Sequence, residues 1–138
     1  MCIRDSSQAA SGSGAFNLAT GNSITLSGTN PSLSIAGNAY MVINSLGEAG
    51  SITGTDLQGI NGGNPFGYYA LGSNIDATAT SSWNGGAGFT PIAYSSYPYQ
   101  FAGTFNGLGH TISNLTINLP STNLVGLFGA TGLSLIHI

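Results

Sequence analysis

Charge is almost missing from this chain. Charged residues make up 4% of its 138 positions, with a single Lys or Arg, four acids and a formal net charge of -3. With so little positive charge there is nothing to neutralise phosphate, which excludes nucleic acid and anionic lipid surfaces as electrostatic partners. Cys2 is the only cysteine, so no disulfide can form within the chain. No apolar run approaches the roughly 18 residues of a membrane-spanning helix. Scarce charge alone does not mean disorder, which also needs low hydrophobicity. Here 41% of residues are hydrophobic and the mean hydropathy is +0.22. An ordered chain is expected.

Glycine is the residue in excess, at 22 of 138 positions, well above its average usage of about 7%. Ser, Thr and Asn supply most of the polar surface. Turn formers alternating with β-branched and aromatic residues predict an all-β protein of many short strands. A composition poor in cysteine and charge also suits a protein exported across a membrane.

The two ends differ in kind from the interior. Residues 1–6, MCIRDS, can be encoded by ATG TGT ATA AGA GAC AG and one further base, and residues 133–138, LSLIHI, by CTG TCT CTT ATA CAC ATC. These strings are reverse complements, and both look like translated sequencing adapter. Both segments are therefore set aside as non-native before reasoning about fold. The expected organisation is a short-strand repeat region at 7–50 and a second β region at 51–132, flanked by the adapter-like 1–6 and 133–138. Between those ends the chain has no Cys, Lys or Arg, one His (His110) and three acids, Glu48, Asp56 and Asp76. The expected whole is a piece of a much longer protein.

A weak repeat opens the interior: FNLATGN from Phe16, ITLSGTN from Ile24 and LSIAGN from Leu33. Each unit alternates apolar and polar residues, which puts one face inward, and then meets a Gly/Asn corner that supplies a positive φ. Strands this short favour a β-solenoid over a sandwich. Further strands are predicted at 40–43, 68–71, 74–77, 89–92, 100–105, 111–119 and 124–128, with a bend at Ser113-Asn114. Thr55 with Gln58 reads as a capping box, Asp56 suits a helix start and Gly62-Gly63 a stop. One short helix is expected near 55–61.

The blocks FAGTFNGLGHTISNLTI (101–117) and VGLFG (125–129) resemble the GLUG motif of filamentous haemagglutinin-type bacterial exoproteins, which also occurs near IgA-cleaving metallopeptidases. Asp56-Leu57-Gln58, Tyr69-Ala70-Leu71, Asn74-Ile75-Asp76, Trp83 and Phe89-Thr90-Pro91-Ile92 match the usual lead-in, so the resemblance covers about 40–129. The residues carrying it are Phe101, Gly103, Phe105, Gly107, Gly109, His110, Ile112, Leu115, Ile117, Gly126, Leu127, Phe128 and Gly129. Asn106 stands where the family usually has Asp, which makes it a turn former rather than a charged ligand. Ala93 stands where the family has Gly and is followed by an insertion, 94–99. The resemblance implies a right-handed parallel β-helix passenger, exported through an outer-membrane partner pore and displayed as an adhesin. Neighbouring coils of the full-length chain would then be its partners, together with a glycan or protein ligand on a host cell or in the extracellular space.

Catalytic chemistry finds little material. His110 is the one candidate base for a Ser-His-acid triad, and its glycine-rich setting reads as a hydrogen-bonded corner. Three scattered acids make neither a glycosidase pair nor a metal cluster, and a polysaccharide lyase lacks its basic residue. Neither an enzymatic activity nor a metal or other cofactor is expected. Asn114-Leu115-Thr116 has glycosylation-type spacing and reads as a corner. Tyr94, Tyr97 and Tyr99, stiffened by Pro98, are candidate glycan contacts, because tyrosine offers an apolar face and a polar rim. Covering the edge of the core is the competing role for these three side chains. Two further functional readings are a carbohydrate-binding module and an accessory region beside a surface peptidase. A cut solenoid would leave strand edges open, which predicts self-association.

Overall fold

The computed structural model describes residues 2–3, 18–94 and 100–137. Among them are eight short strands: β1 (Cys2–Ile3), β2 (Leu33–Ile35), β3 (Asn38–Ile43), β4 (Tyr68–Leu71), β5 (Ile75–Asp76), β6 (Thr104–Asn106), β7 (Ile112–Ser113) and β8 (Leu135–His137). Two 3-10 helices lie at Gln58–Gly62 and Thr78–Gly86, the second broken at Trp83, Asn84 and Gly85, where the backbone leaves helical geometry. Six strands form one sheet in the order β1-β2-β3-β4-β6-β8, while β5 and β7 pair separately.

This arrangement corrects the expected right-handed parallel β-helix. The chain forms small sheets, the larger one mixed, because β2 and β3 pair antiparallel from Leu33↔Tyr40 to Ile35↔Asn38. The cause is local. Ala36 and Gly37 both take positive φ, 50° and 83°, and two successive residues of that kind make a primed turn that folds a strand back on its neighbour. The Gly/Asn corner that read as a coil bend is here a hairpin. Beyond it, β3, β4, β6 and β8 do pair in parallel.

The short helix expected near 55–61 is present, but its capping differs from expectation. It is a 3-10 turn at Gln58–Gly62 with no side-chain cap at Leu57, and Thr55 donates its hydroxyl to Thr53 Oγ1 instead of capping. Asp56 does the organising: its Oδ1 accepts the Gly59 N–H at 2.7 Å, and its Oδ2 accepts the hydroxyls of Ser51 at 2.8 Å and Thr53 at 2.5 Å. Gln58 is buried and needs partners at both ends of its amide. It finds them on Thr90, donating to the carbonyl at 3.1 Å and accepting the N–H at 3.0 Å. A side chain thereby pairs with segment 89–92 as a strand would.

That segment shows why several expected strands are absent. Residues 89–92 and 124–128 contribute only isolated bridges, Ile92↔Phe128 among them, and Phe101 bridges Thr131. The unit at Ile24 forms no strand either. It is held by single backbone bonds, Ile24 N–H to Leu108 O at 3.0 Å and Leu26 N–H to Gly72 O at 2.8 Å.

Alternation along the strands divides the large sheet into two faces. Ile43, Tyr69, Leu71 and Phe105 enter a cluster with Leu57, Ile60, Ile75, Phe89, Ile92 and Phe101. Val42 and Ala70 point the other way, into a cluster with Leu26, Leu33, Ile35 and Leu108.

Candidate functional site

The parallel register of β3 and β4, Met41↔Tyr69, sets Tyr40 beside Tyr68 one step earlier. Their ring centroids are 5.3 Å apart and the rings are tilted by 57°. Tyr40 packs at the rim of the aliphatic cluster, whereas Tyr68 is 37% and Met41 42% exposed. Two phenols and a thioether therefore border a groove of about 430 Å³, whose other walls include Thr53, Asn64 and Gly67. Burial, reinforced by the neighbouring Tyr68, raises the Tyr40 phenol above its ordinary value, so the Tyr40 hydroxyl is a neutral donor at physiological pH. Tyr69 lies beneath, its hydroxyl donating to the Asn64 carbonyl at 2.9 Å. Burial raises its phenol as well, more than that hydrogen bond lowers it.

A second, smaller hollow of about 170 Å³ lies beside Tyr94, between Asn84, Ala87, Thr90 and Leu119. Tyr94 is 42% exposed and follows Ala93, whose φ is +55°. Tyr97 and Tyr99, the other two expected glycan contacts, lie outside the described residues, as does Pro98. Sequence reasoning treated Tyr40 and Tyr68 as strand residues and missed that they meet. Period-two alternation gave each tyrosine a face of its own strand, and only the parallel register of β3 and β4 brings the two faces together.

The residues of the glycine-rich motif have structural surroundings. Phe101 and Phe105 are fully buried, and Ile112, Leu115, Ile117, Leu127 and Phe128 pack against their cluster. A Cβ on Gly103 would stand 2.2 Å from the Gly67 carbonyl oxygen, and one on Gly109 2.0 Å from that of Asn22, so neither position admits a side chain without movement. Gly107 accepts the His110 N–H at 2.9 Å. Gly126 and Gly129 lie on the final loop, where Gly129 N–H donates to Ile92 O at 2.8 Å. Asn106 Oδ1 accepts the Leu108 N–H at 3.0 Å, closing the turn that follows β6.

His110, Asp56 and Asp76 are spread across the fold and tied into it by hydrogen bonds, while Glu48 is exposed. His110 is 7% exposed, with Nε2 2.9 Å from the Ile24 carbonyl and Nδ1 3.2 Å from Asn74 Oδ1. Asp76 Oδ1 accepts three bonds: from the Thr78 hydroxyl at 2.6 Å, the Asn114 amide at 3.0 Å and the Thr78 N–H at 3.0 Å. These bonds hold its carboxyl below the ordinary aspartate range, the Thr78 hydroxyl contributing most. Among the described residues no three His, Cys, Asp or Glu side chains come together as a metal site.

Comparison with known proteins gives one informative match. Halomucin of Haloquadratum walsbyi is 54% identical to this chain over 66 residues, which is 46% of the chain and 1% of Halomucin. The chain thus spans about 1% of the length of the curated relative it matches. No family model matches, and no solved structure does.

Proposed function

We propose that this chain is a non-catalytic segment of a large secreted or cell-surface protein, in which it presents β surface for adhesion to carbohydrate. The observation that carries the reading is the match to Halomucin: a mucin by name, and a protein of which this stretch corresponds to 1%. Mucin-type proteins work outside the cell, by extent and display of surface. Support also comes from chemistry. The described residues contain no Lys or Arg, and His110, Asp56 and Asp76 are each committed to hydrogen bonds that hold loops together.

The Tyr40–Tyr68 groove favours carbohydrate as the adhesive partner. A sugar ring presents axial C–H groups to an aromatic face and hydroxyls to a polar rim, and tyrosine supplies both with little loss of rotamer entropy. The test is glycan-array binding by the wild-type chain and by Tyr68→Ala and Tyr40→Ala, with thermal unfolding followed in parallel. Tyr68→Ala should weaken binding about tenfold, the loss of one aromatic contact, while its melting temperature stays within a few degrees of wild type. Unchanged glycan binding in both variants would remove carbohydrate recognition from this groove.

A further inference from the structure

Thirteen asparagines occur in the chain, and two precede Ser or Thr at the acceptor spacing: Asn30-Pro31-Ser32 and Asn114-Leu115-Thr116. Proline in the middle bars the first. The second has no such bar, and the fold treats its three residues differently from one another. Asn114 follows β7 at a corner with a φ of +58° and is exposed. Thr116 is fixed on both sides, its N–H donating to Thr80 Oγ1 at 2.9 Å and its carbonyl accepting the Phe89 N–H at 2.9 Å. The acceptor amide thus stands at the surface while the residue that defines the sequon is held in place.

The amide itself has capacity to spare. Its Nδ2 carries two hydrogens and makes one 3.0 Å bond, to Asp76 Oδ1. An N-glycosylated asparagine keeps one N–H, which is the number Asp76 requires. Around Asn114 lies an open shelf formed with Thr78, Ser81, Leu115 and Thr116. It bears hydroxyls and no charge, and the first sugar would rest there without displacing any packed side chain.

We propose that Asn114 is an N-glycan attachment site, modified by an oligosaccharide activated on a polyprenyl phosphate or diphosphate carrier. In the transfer the Nδ2 lone pair forms a bond to the anomeric carbon while the bond from that carbon to the carrier's phosphate oxygen breaks. The carrier leaves as a phosphate anion, and Nδ2 loses one proton to a base of the transferase. No oxidation or reduction occurs. The proposal rests on the exported placement argued above.

The test secretes the full chain behind a heterologous leader from a host that N-glycosylates Asn-x-Ser/Thr sites, followed by intact mass and peptide mapping. The heterologous leader brings the chain to the transferase whatever its native location, so failure here is distinguishable from failure of the surface reading, which surface labelling of the native host tests. The expected result is one glycan on the peptide containing Asn114, released enzymatically to leave Asp at that position, and absent from Thr116→Ala. That variant keeps Asn114, its bond to Asp76 and the backbone bonds of residue 116. A secreted wild-type chain without the glycan would overturn the proposal, as would a glycan that persists in Thr116→Ala.

Discussion

One face of the six-stranded sheet sends Tyr69, Leu71 and Phe105 into a cluster where four aromatic rings meet. Tyr69 and Phe101 lie 6.1 Å apart by centroid, Phe101 and Phe128 4.8 Å, and Phe105 and Phe128 5.4 Å in an edge-on arrangement. The opposite face has no such mass. There Val42 and Ala70 meet Leu26, Leu33, Ile35 and Leu108, and the covering segment is drawn in by backbone bonds and close approach. Leu26 N–H reaches Gly72 O, Ile24 N–H reaches Leu108 O, and Ile24 O meets the His110 ring. The glycines at 72 and 109 allow that approach: a Cβ on Gly72 would stand 2.7 Å from Leu26 O, and one on Gly109 2.0 Å from Asn22 O. One side is therefore stabilised by side-chain volume. The other depends on the absence of side chains.

The largest expected effect breaks the aromatic side. Phe105→Ala removes a fully buried ring packed edge-on against Phe128 and should cost about 3–5 kcal/mol in urea unfolding. Gly109→Ala breaks the other side by the opposite means, adding an atom where φ is +77°. It should cost about 1–3 kcal/mol, and hydrogen exchange should quicken at the Ile24 and Leu26 amides while the amides of β6 keep their protection. If both regions opened together, the two faces would be one cooperative unit.

Two smaller changes sharpen the comparison. Ala93 packs against the aromatic cluster with a φ of +55°, a conformation that costs an L-residue roughly 1–2 kcal/mol. Ala93→Gly should therefore gain about 0.5–1 kcal/mol after the entropic cost of glycine. Asp76 follows Ile75, which enters the same cluster. Because its folded carboxyl sits below the ordinary aspartate range, the stability it contributes is complete above that range and is lost as the pH falls through the folded value. The melting temperature should hold from neutral to mildly acidic pH and then decline. Asp76→Asn should decline less steeply.

These sites also show how far the sequence could be read. Composition and alternation located the strand at Tyr68–Leu71, where alternating apolar residues meet the core, and the corner at Asn114. They favoured a solenoid, which the resemblance narrowed to a β-helix, because a Gly/Asn corner looks the same whether it bends a coil or closes a hairpin. The deciding quantity, two successive positive φ at Ala36 and Gly37, is a property of the pair and its pairing partner. The misread capping box at Thr55 and Gln58 has the same root. Thr55 and Gln58 had the right spacing, but Gln58 satisfies its amide on Thr90, 32 residues away. The aromatic groove was invisible for a related reason: Tyr40 and Tyr68 become neighbours only through strand register. Nor was the loop conformation at Ala93 legible: its φ of +55° is one that glycine adopts at no cost, and the residue there is alanine.

The outermost strands of the large sheet, β1 (Cys2–Ile3) and β8 (Leu135–His137), lie in the two adapter-like ends, so the strands of the interior run in the order β2-β3-β4-β6. With those ends set aside, β2 and β6 are the outer strands, and each would offer a hydrogen-bonding rim. In the language of polymer chemistry such a fold would be a bifunctional monomer. Units with two reactive ends grow into linear chains whose mean length rises with concentration, and without a third reactive site they do not crosslink into a gel.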